Sequence, residues 1–238
     1  MKALSFLSLM LLSMSTITAQ VYTVTSTADV GAGTLRSIIT DIVSAGDTIL
    51  FDRAINGDTI FLTSGEIVID KDLTIIGNSA DQNIIDGSND IGNDSRLIRI
   101  AATADVNISH VSFINAGELT MTSLWGGALL SSGSLNLENC VFDNNKAYLG
   151  GAIRIQEGSV DMNACIFRNN QSAALGGAIN TRGTTLRMTN CLLYLNASSS
   201  TGGAIHNELA TMDLFNCTFA DNAASLSLIH ISEPTRPY

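Results

Sequence analysis

Residues 150–170 read GGAIRIQEGSVDMNACIFRNN, and the chain repeats this pattern on a nearly fixed period. A Gly-Gly-Ala-aliphatic step begins at Gly126, Gly150, Gly176 and Gly202, with Gly127, Gly151, Gly177 and Gly203 completing the pairs. The pairs are spaced 24, 26 and 26 residues apart. Each is followed by a cysteine, Cys140, Cys165, Cys191 and Cys217, at spacings of 25, 26 and 26. A period of this length marks a solenoid, in which each repeat stacks on its neighbour and cannot bury its apolar face alone.

Aligning the repeats on their cysteines shows how one is built. Leu135 and Leu137 alternate with polar residues, as in a half-buried strand. Cys140 and Phe142 alternate too, but on the opposite parity, so the chain must bend between them. Asn139 sits at that bend, and Asn190 and Asn216 occupy its place in later repeats. Asparagine tolerates the left-handed backbone such a bend requires; Ala164 interrupts the series. The cysteine leads to Phe142, Phe167 or Phe219, replaced by Leu193 in the third copy, and Phe113 is an earlier, cysteine-free version. Each coil therefore reads as a strand, an asparagine corner, a second strand, a polar turn, and a third strand opened by the glycine pair. Three short strands in about 25 residues make one coil of a parallel β-helix, an all-β fold. The turns DNNKAYL, RNNQSAAL and LNASSST are expected to lie outside the core, where recognition is usually placed.

Upstream, the trios 59–62, 66–69, 73–76 and 97–100, 106–108, 111–113 read as further coils. Leu35, Ile38, Ile39, Ile42 and Val43 recur at helical spacing within residues 33–44, predicting a helix that covers the open first coil. The domain reading is residues 1–19 as an export signal, 20–46 as the N-terminal cap, and 47–225 as the β-helix, with clear repeats over 111–222. Residues 226–238 break the pattern, hold both prolines, and resemble a translated sequencing adapter; the natural protein is expected to continue beyond Ser225. The expected architecture is thus a solenoid with a capping helix, truncated at its C-terminal end.

Four cysteines in an exported chain fit two disulfides. Yet stacked strands lie about 4.8 Å apart, and disulfide Cβ atoms prefer about 3.8 Å, so one cysteine per coil favours an inward row of free thiols. Charged residues are only 14% of the chain, and acidic ones outnumber basic ones 22 to 12. That balance argues against nucleic acid and anionic membrane as partners.

Parallel β-helices also carry polysaccharide lyases and glycosidases. Hydrolysis needs a pair of carboxylates, and Asp143, Glu157, Asp161, Glu208 and Asp221 are acidic candidates. Asp143 and Asp221 stand three coils apart, roughly 14 Å, too far for such a pair. No Cys-x-x-Cys pair or histidine cluster suggests a metal, and no cofactor is expected. Arg154, Arg182 and His206 are read as a row on an exposed wall able to meet an acidic sugar, and Trp125 as a stacking or packing residue.

The Gly-Gly-Ala-Ile step joined to Phe-x-x-Asn, as in Gly150 to Ile153 with Phe167 to Asn170, resembles the repeat of the polymorphic outer membrane protein family. The run YTVTSTADVGAGTLRSIITDI followed by DTILFD is similar to the entry segment of secreted bacterial right-handed, pectin-lyase-like β-helices. These resemblances imply an exported, monomeric protein of the cell surface or outer membrane of a Gram-negative-type bacterium. They also imply an adhesin or binding scaffold for a glycan, matrix or host-cell ligand, attached through a module beyond this chain. A carbohydrate-active enzyme or a passive spacer are the other readings.

Overall fold

The computed structural model describes residues 18–88, 96–119 and 124–232. The expected export signal up to residue 17, most of the polar stretch 86–94 and residues 233–238 lie outside the described residues. The molecule is a parallel β-solenoid with three walls. Every ladder among the described strands is parallel.

Among the described residues the first wall has eight strands: Val21–Val24, Asp47–Phe51, Leu73–Ile76, Asp105–Ser109, Ser134–Glu138, Ser159–Asn163, Thr185–Thr189 and Thr211–Phe215. The second has seven, from Thr59–Phe61 to Thr218–Ala220. The third has eleven, because later coils add a short strand, before the glycine pair at Lys146–Leu149, Gln171–Leu175 and Ala197–Ser198 and again at Ala223–Ala224. The stretches expected as polar turns are therefore partly sheet. Ser227–Ser232, expected to break the repeat, pairs in parallel with Thr201–Glu208.

Strand alternation sends one face of every wall inward, and in-register stacking turns each inward position into a continuous row. In the first wall, Ile49, Ile75, Ile108, Leu137, Met162 and Met188 form one such row. In the second, Ile60, Ile85, Phe113, Phe142, Phe167, Leu193 and Phe219 form another. The rings of Phe113 and Phe142 stack with centroids 5.2 Å apart, and those of Phe142 and Phe167 at 4.8 Å. All three are fully buried; each contributes about 1.5–3 kcal/mol through burial. Leu193 keeps the row apolar where the phenyl ring is missing.

The corner between the first two walls is left-handed in the five later coils. His110, Asn139, Ala164, Asn190 and Asn216 have φ between 50° and 59°. Their side chains also reach along the axis: Asn216 Nδ2 donates to Asn190 Oδ1 at 2.6 Å. At Ala164 there is no amide, and Asn190 Nδ2 donates instead to Asn163 Oδ1 at 3.2 Å.

A second row of asparagines lies inside the turns, and this corrects the expectation that those turns stay outside the core. Asn145, Asn170 and Asn196 are completely buried, and Asn222 nearly so. The backbone N–H and Nδ2 of Asn145 both donate to Asn170 Oδ1, at 3.1 and 3.0 Å, and Nδ2 also donates to the Phe113 carbonyl at 3.0 Å. Asn170 makes the same contacts with Asn196 and Phe142, and Asn196 with Asn222 and Phe167. The physical reason is that the second wall ends at a left-handed residue (Asn115, Asn144, Asn169, Leu195, Asp221), which turns the next side chain inward. There its amide satisfies backbone groups that water cannot reach.

The cysteines form the inward row expected of them. Cys140, Cys165 and Cys191 are buried, Cys217 is partly so, and all four are free thiols. Each donates to carbonyls of its own corner and of the preceding coil, as Cys140 does to Glu138 and Ile108 at 3.4 and 3.5 Å. The Cys165 thiol is pushed well up by its neighbours Cys140 and Cys191 and by burial. Ellman titration is accordingly expected to find four thiols after denaturation and slow, partial reaction before it, with Cys217 first. Recovery of two thiols or fewer from freshly denatured, unreduced protein contradicts the free row.

At the N-terminal end a short helical segment closes the solenoid. Thr34 caps it, accepting from the Ser37 N–H, and the helix Leu35–Ser37 continues as a wider turn through Ile38–Ile42. Leu35, Ile38, Ile39 and Val43 are buried, whereas Ile42 is 48% exposed and leaves the expected apolar face. Arg36 fastens the segment to the third wall by donating to the carbonyls of Gly65 and Glu66, and to Asp29. Burial alone pushes the Asp29 carboxyl up, but hydrogen bonds from Arg36, Ser64 and Thr63 together hold it below its ordinary value. The cap is also less separate than residues 20–46 suggest, because Val21–Val24 is the terminal strand of the first wall.

Candidate functional site

The outward positions of the first wall create a trough in which polar side chains stand along a partly apolar floor. In each strand one residue lies between two inward apolar ones, and stacking aligns these as Thr74, Asn107, Asn136, Asp161, Arg187 and Asp213. A parallel row runs Ile76, Ser109, Glu138, Asn163 and Thr189. Between them is a cleft of about 630 Å³ spanning five coils, a length of roughly 20 Å at ~4.8 Å per coil. Asn136 Nδ2 donates to Asn107 Oδ1 at 2.9 Å, and Arg187 Nε to Asp213 Oδ2 at 3.4 Å. Asp161 and Glu138 form no ion pair with the described residues. Amides that donate and accept, carboxylates that accept and a guanidinium that donates suit a run of sugar hydroxyls.

The trough was only partly legible in the sequence, where Asp161 alone stands out as an acidic candidate. The signal is the residue between the two inward apolar positions of each first-wall strand, as in Leu135-Asn136-Leu137 and Val160-Asp161-Met162. It becomes a row only once the coils are placed in register.

The glycine pairs sit at the corner before the third wall and serve backbone geometry. Gly126, Gly150, Gly176 and Gly202 have φ of 69°, 62°, 69° and 71°. A Cβ at any of them would lie 2.0–2.4 Å from the carbonyl oxygen three residues on. Only glycine fits a left-handed residue this close to another backbone.

The candidate sugar-binding row is not assembled as expected. Arg154, Asn180 and His206 share one row of the third wall, while Arg182 lies two positions further along and pairs with Glu208 at 3.5 Å. Nor is the row open. Arg154 and His206 are each only 6% exposed. Alternation does place Arg154 on the outer face, but the chain folds back at the glycine corner and covers it. Trp125, Leu149, Leu175 and Thr201, the residues just before the glycines, stack in register at this corner. Trp125 is 38% exposed, with its ring centroid 6.0 Å from Arg154 Cζ. Burial pulls the Arg154 guanidinium below its ordinary value, with Glu208 partly offsetting this and Arg182 adding to it.

A family model described as the Chlamydia polymorphic membrane protein repeat matches residues 139–156 and 164–182. Each matched stretch begins at a left-handed corner and runs through the second wall, the buried asparagine and the glycine pair into the third wall. No curated protein and no solved structure gives a match. Over these two stretches, the chain is similar to that repeat.

Proposed function

We propose that this chain is the display scaffold of an exported bacterial surface protein and that it binds an extended glycan along the first-wall trough. The observation that carries the reading is the trough itself, a cleft spanning five coils with a partly apolar floor and side chains matched to hydroxyls along it. The similarity of two stretches to a membrane-protein repeat supports a surface location. Binding across a repetitive face needs no conformational change in a stacked sheet, and the ligand's repeat meets equivalent residues in successive coils.

The test is a glycan array probed with the full chain, followed by calorimetry on the strongest hit. Substituting Asn107 and Asn136 together by alanine is expected to weaken that binding by about tenfold or more, since two amide contacts are lost. Binding unchanged by this pair, or absent from every extended glycan, overturns the reading.

One observation favours hydrolysis instead. Glu138 and Asp161 face the same trough from adjacent coils, two residues apart in register. Strand spacing and rise place their Cα atoms roughly 8 Å apart, near the ~6.5–9.5 Å carboxyl separation of inverting glycosidases. Release of reducing ends from a bound glycan, abolished by Glu138→Gln with binding retained, decides for the enzyme.

A further inference from the structure

We infer that the glycan held in the first-wall trough is a chain of amino sugars with free amines, of the β-1,4-linked glucosamine type. The inference rests on the reading of the trough as a glycan site and names the glycan.

Charge gives the first half of the argument. Three charged side chains line the trough, Glu138, Asp161 and Arg187. Arg187 is already met by Asp213 at 3.4 Å. Glu138 is exposed, Asp161 is half-buried, and neither forms an ion pair with the described residues. An open cleft with two uncommitted carboxylates repels uronic acids and sulfated sugars and attracts a ligand that carries positive charge.

Register gives the second half. Asn136 pairs with Asp161, and Glu138 with Asn163. In the coil of Leu137 a carboxylate therefore stands on one side of the trough and an amide on the other, and in the coil of Met162 the two are exchanged. A β-1,4-linked chain has the same alternation. Each ring is turned over relative to the last, so the amine and the hydroxymethyl group change sides from ring to ring. Each ring also advances the chain by close to the ~4.8 Å between stacked strands, so consecutive rings fall on consecutive coils. A ring over Leu137 sets its amine against Glu138 and its hydroxymethyl group against Asn136. The next ring, over Met162, sets its amine against Asp161 and its hydroxymethyl group against Asn163. Each ammonium donates a charge-assisted hydrogen bond, and each amide donates to or accepts from a hydroxyl. An extended basic peptide fits less well, because its side chains recur at about 3.4 Å and fall out of step with the coils.

The full chain is titrated by calorimetry at mildly acid pH, where the sugar amine is protonated. The ligands are the β-1,4-linked hexamers of glucosamine, N-acetylglucosamine and glucose, with hexalysine beside them. The glucosamine hexamer is expected to bind about tenfold or more tighter than the other three. Glu138→Gln with Asp161→Asn is expected to lower its affinity to that of the glucose hexamer while circular dichroism stays unchanged. Asp58→Asn with Glu157→Gln removes as much charge from exposed carboxylates outside the trough. That control should leave the affinity unaltered, which separates the trough from general attraction to a chain of net charge −10. A glucose hexamer that binds as tightly as the glucosamine hexamer overturns the amino-sugar inference and leaves the trough reading standing. So does hexalysine binding as tightly, which would mean that the trough reads charge alone, or a glucosamine affinity that survives the trough variant. Failure of every hexamer and of every other extended glycan to bind overturns both.

Discussion

Asn170→Ala is expected to remove about 4 kcal/mol or more of stability, a very large effect for one polar side chain. The substitution opens no large apolar cavity. It strips partners from the backbone N–H and Nδ2 of Asn145, from the Phe142 carbonyl and from Asn196 Oδ1 in a place water does not reach. Asn145 Nδ2 keeps the Phe113 carbonyl and Asn196 Oδ1 keeps the Asn170 backbone N–H, so the main losses are at the Asn145 N–H and the Phe142 carbonyl, at about 1–3 kcal/mol each. The comparison is Asn136→Ala, where an exposed amide makes one contact and a change within about 0.5 kcal/mol is expected. Urea denaturation followed by circular dichroism reads both. Equal midpoints for the two variants would show that the buried amides are not structural cross-links.

Gly150→Ala is expected to be nearly as damaging, costing about 3 kcal/mol or more. Two penalties coincide there. The residue is left-handed at φ 62°, and a Cβ would lie 2.1 Å from the Ile153 carbonyl oxygen, which is itself fixed in a parallel ladder. Gly183 separates the two, having the same φ of 62° but open space around its missing Cβ. Gly183→Ala should therefore cost only about 1 kcal/mol, the conformational part. Thermal melts of the pair test this, and similar losses at both positions would mean that the contact at the corner relaxes easily.

Most of the fold could be read in the sequence because its markers report geometry without help from distant residues. A glycine pair marks a corner that tolerates no side chain, and the parity switch between Leu137 and Cys140 marks a bend. Their common period places both in every coil. The cap helix was visible for the same reason, except that its last turn widens and leaves Ile42 outside. What escaped depends on neighbouring coils. Asn145 looks like a turn residue because its polarity is local, whereas its partners are Asn170, 25 residues later, and Phe113, 32 earlier. Arg154 looks exposed because alternation sends it outward, and only the fold-back that brings Trp125 over it makes it buried. The trough is hidden likewise, since each coil contributes only two outward residues to it and the rows form only across coils.

The buried asparagine row also bears on how the molecule would carry load. The coils carrying Asn145, Asn170, Asn196 and Asn222 are joined to one another by the same set of amide contacts, so tension along the solenoid axis falls on these joints in series. The weakest joint sets the force at which opening begins, and the coils beyond it remain folded. A rod made this way lengthens in discrete steps of one coil, and a tether that yields in steps absorbs a sudden pull while most of its surface stays intact.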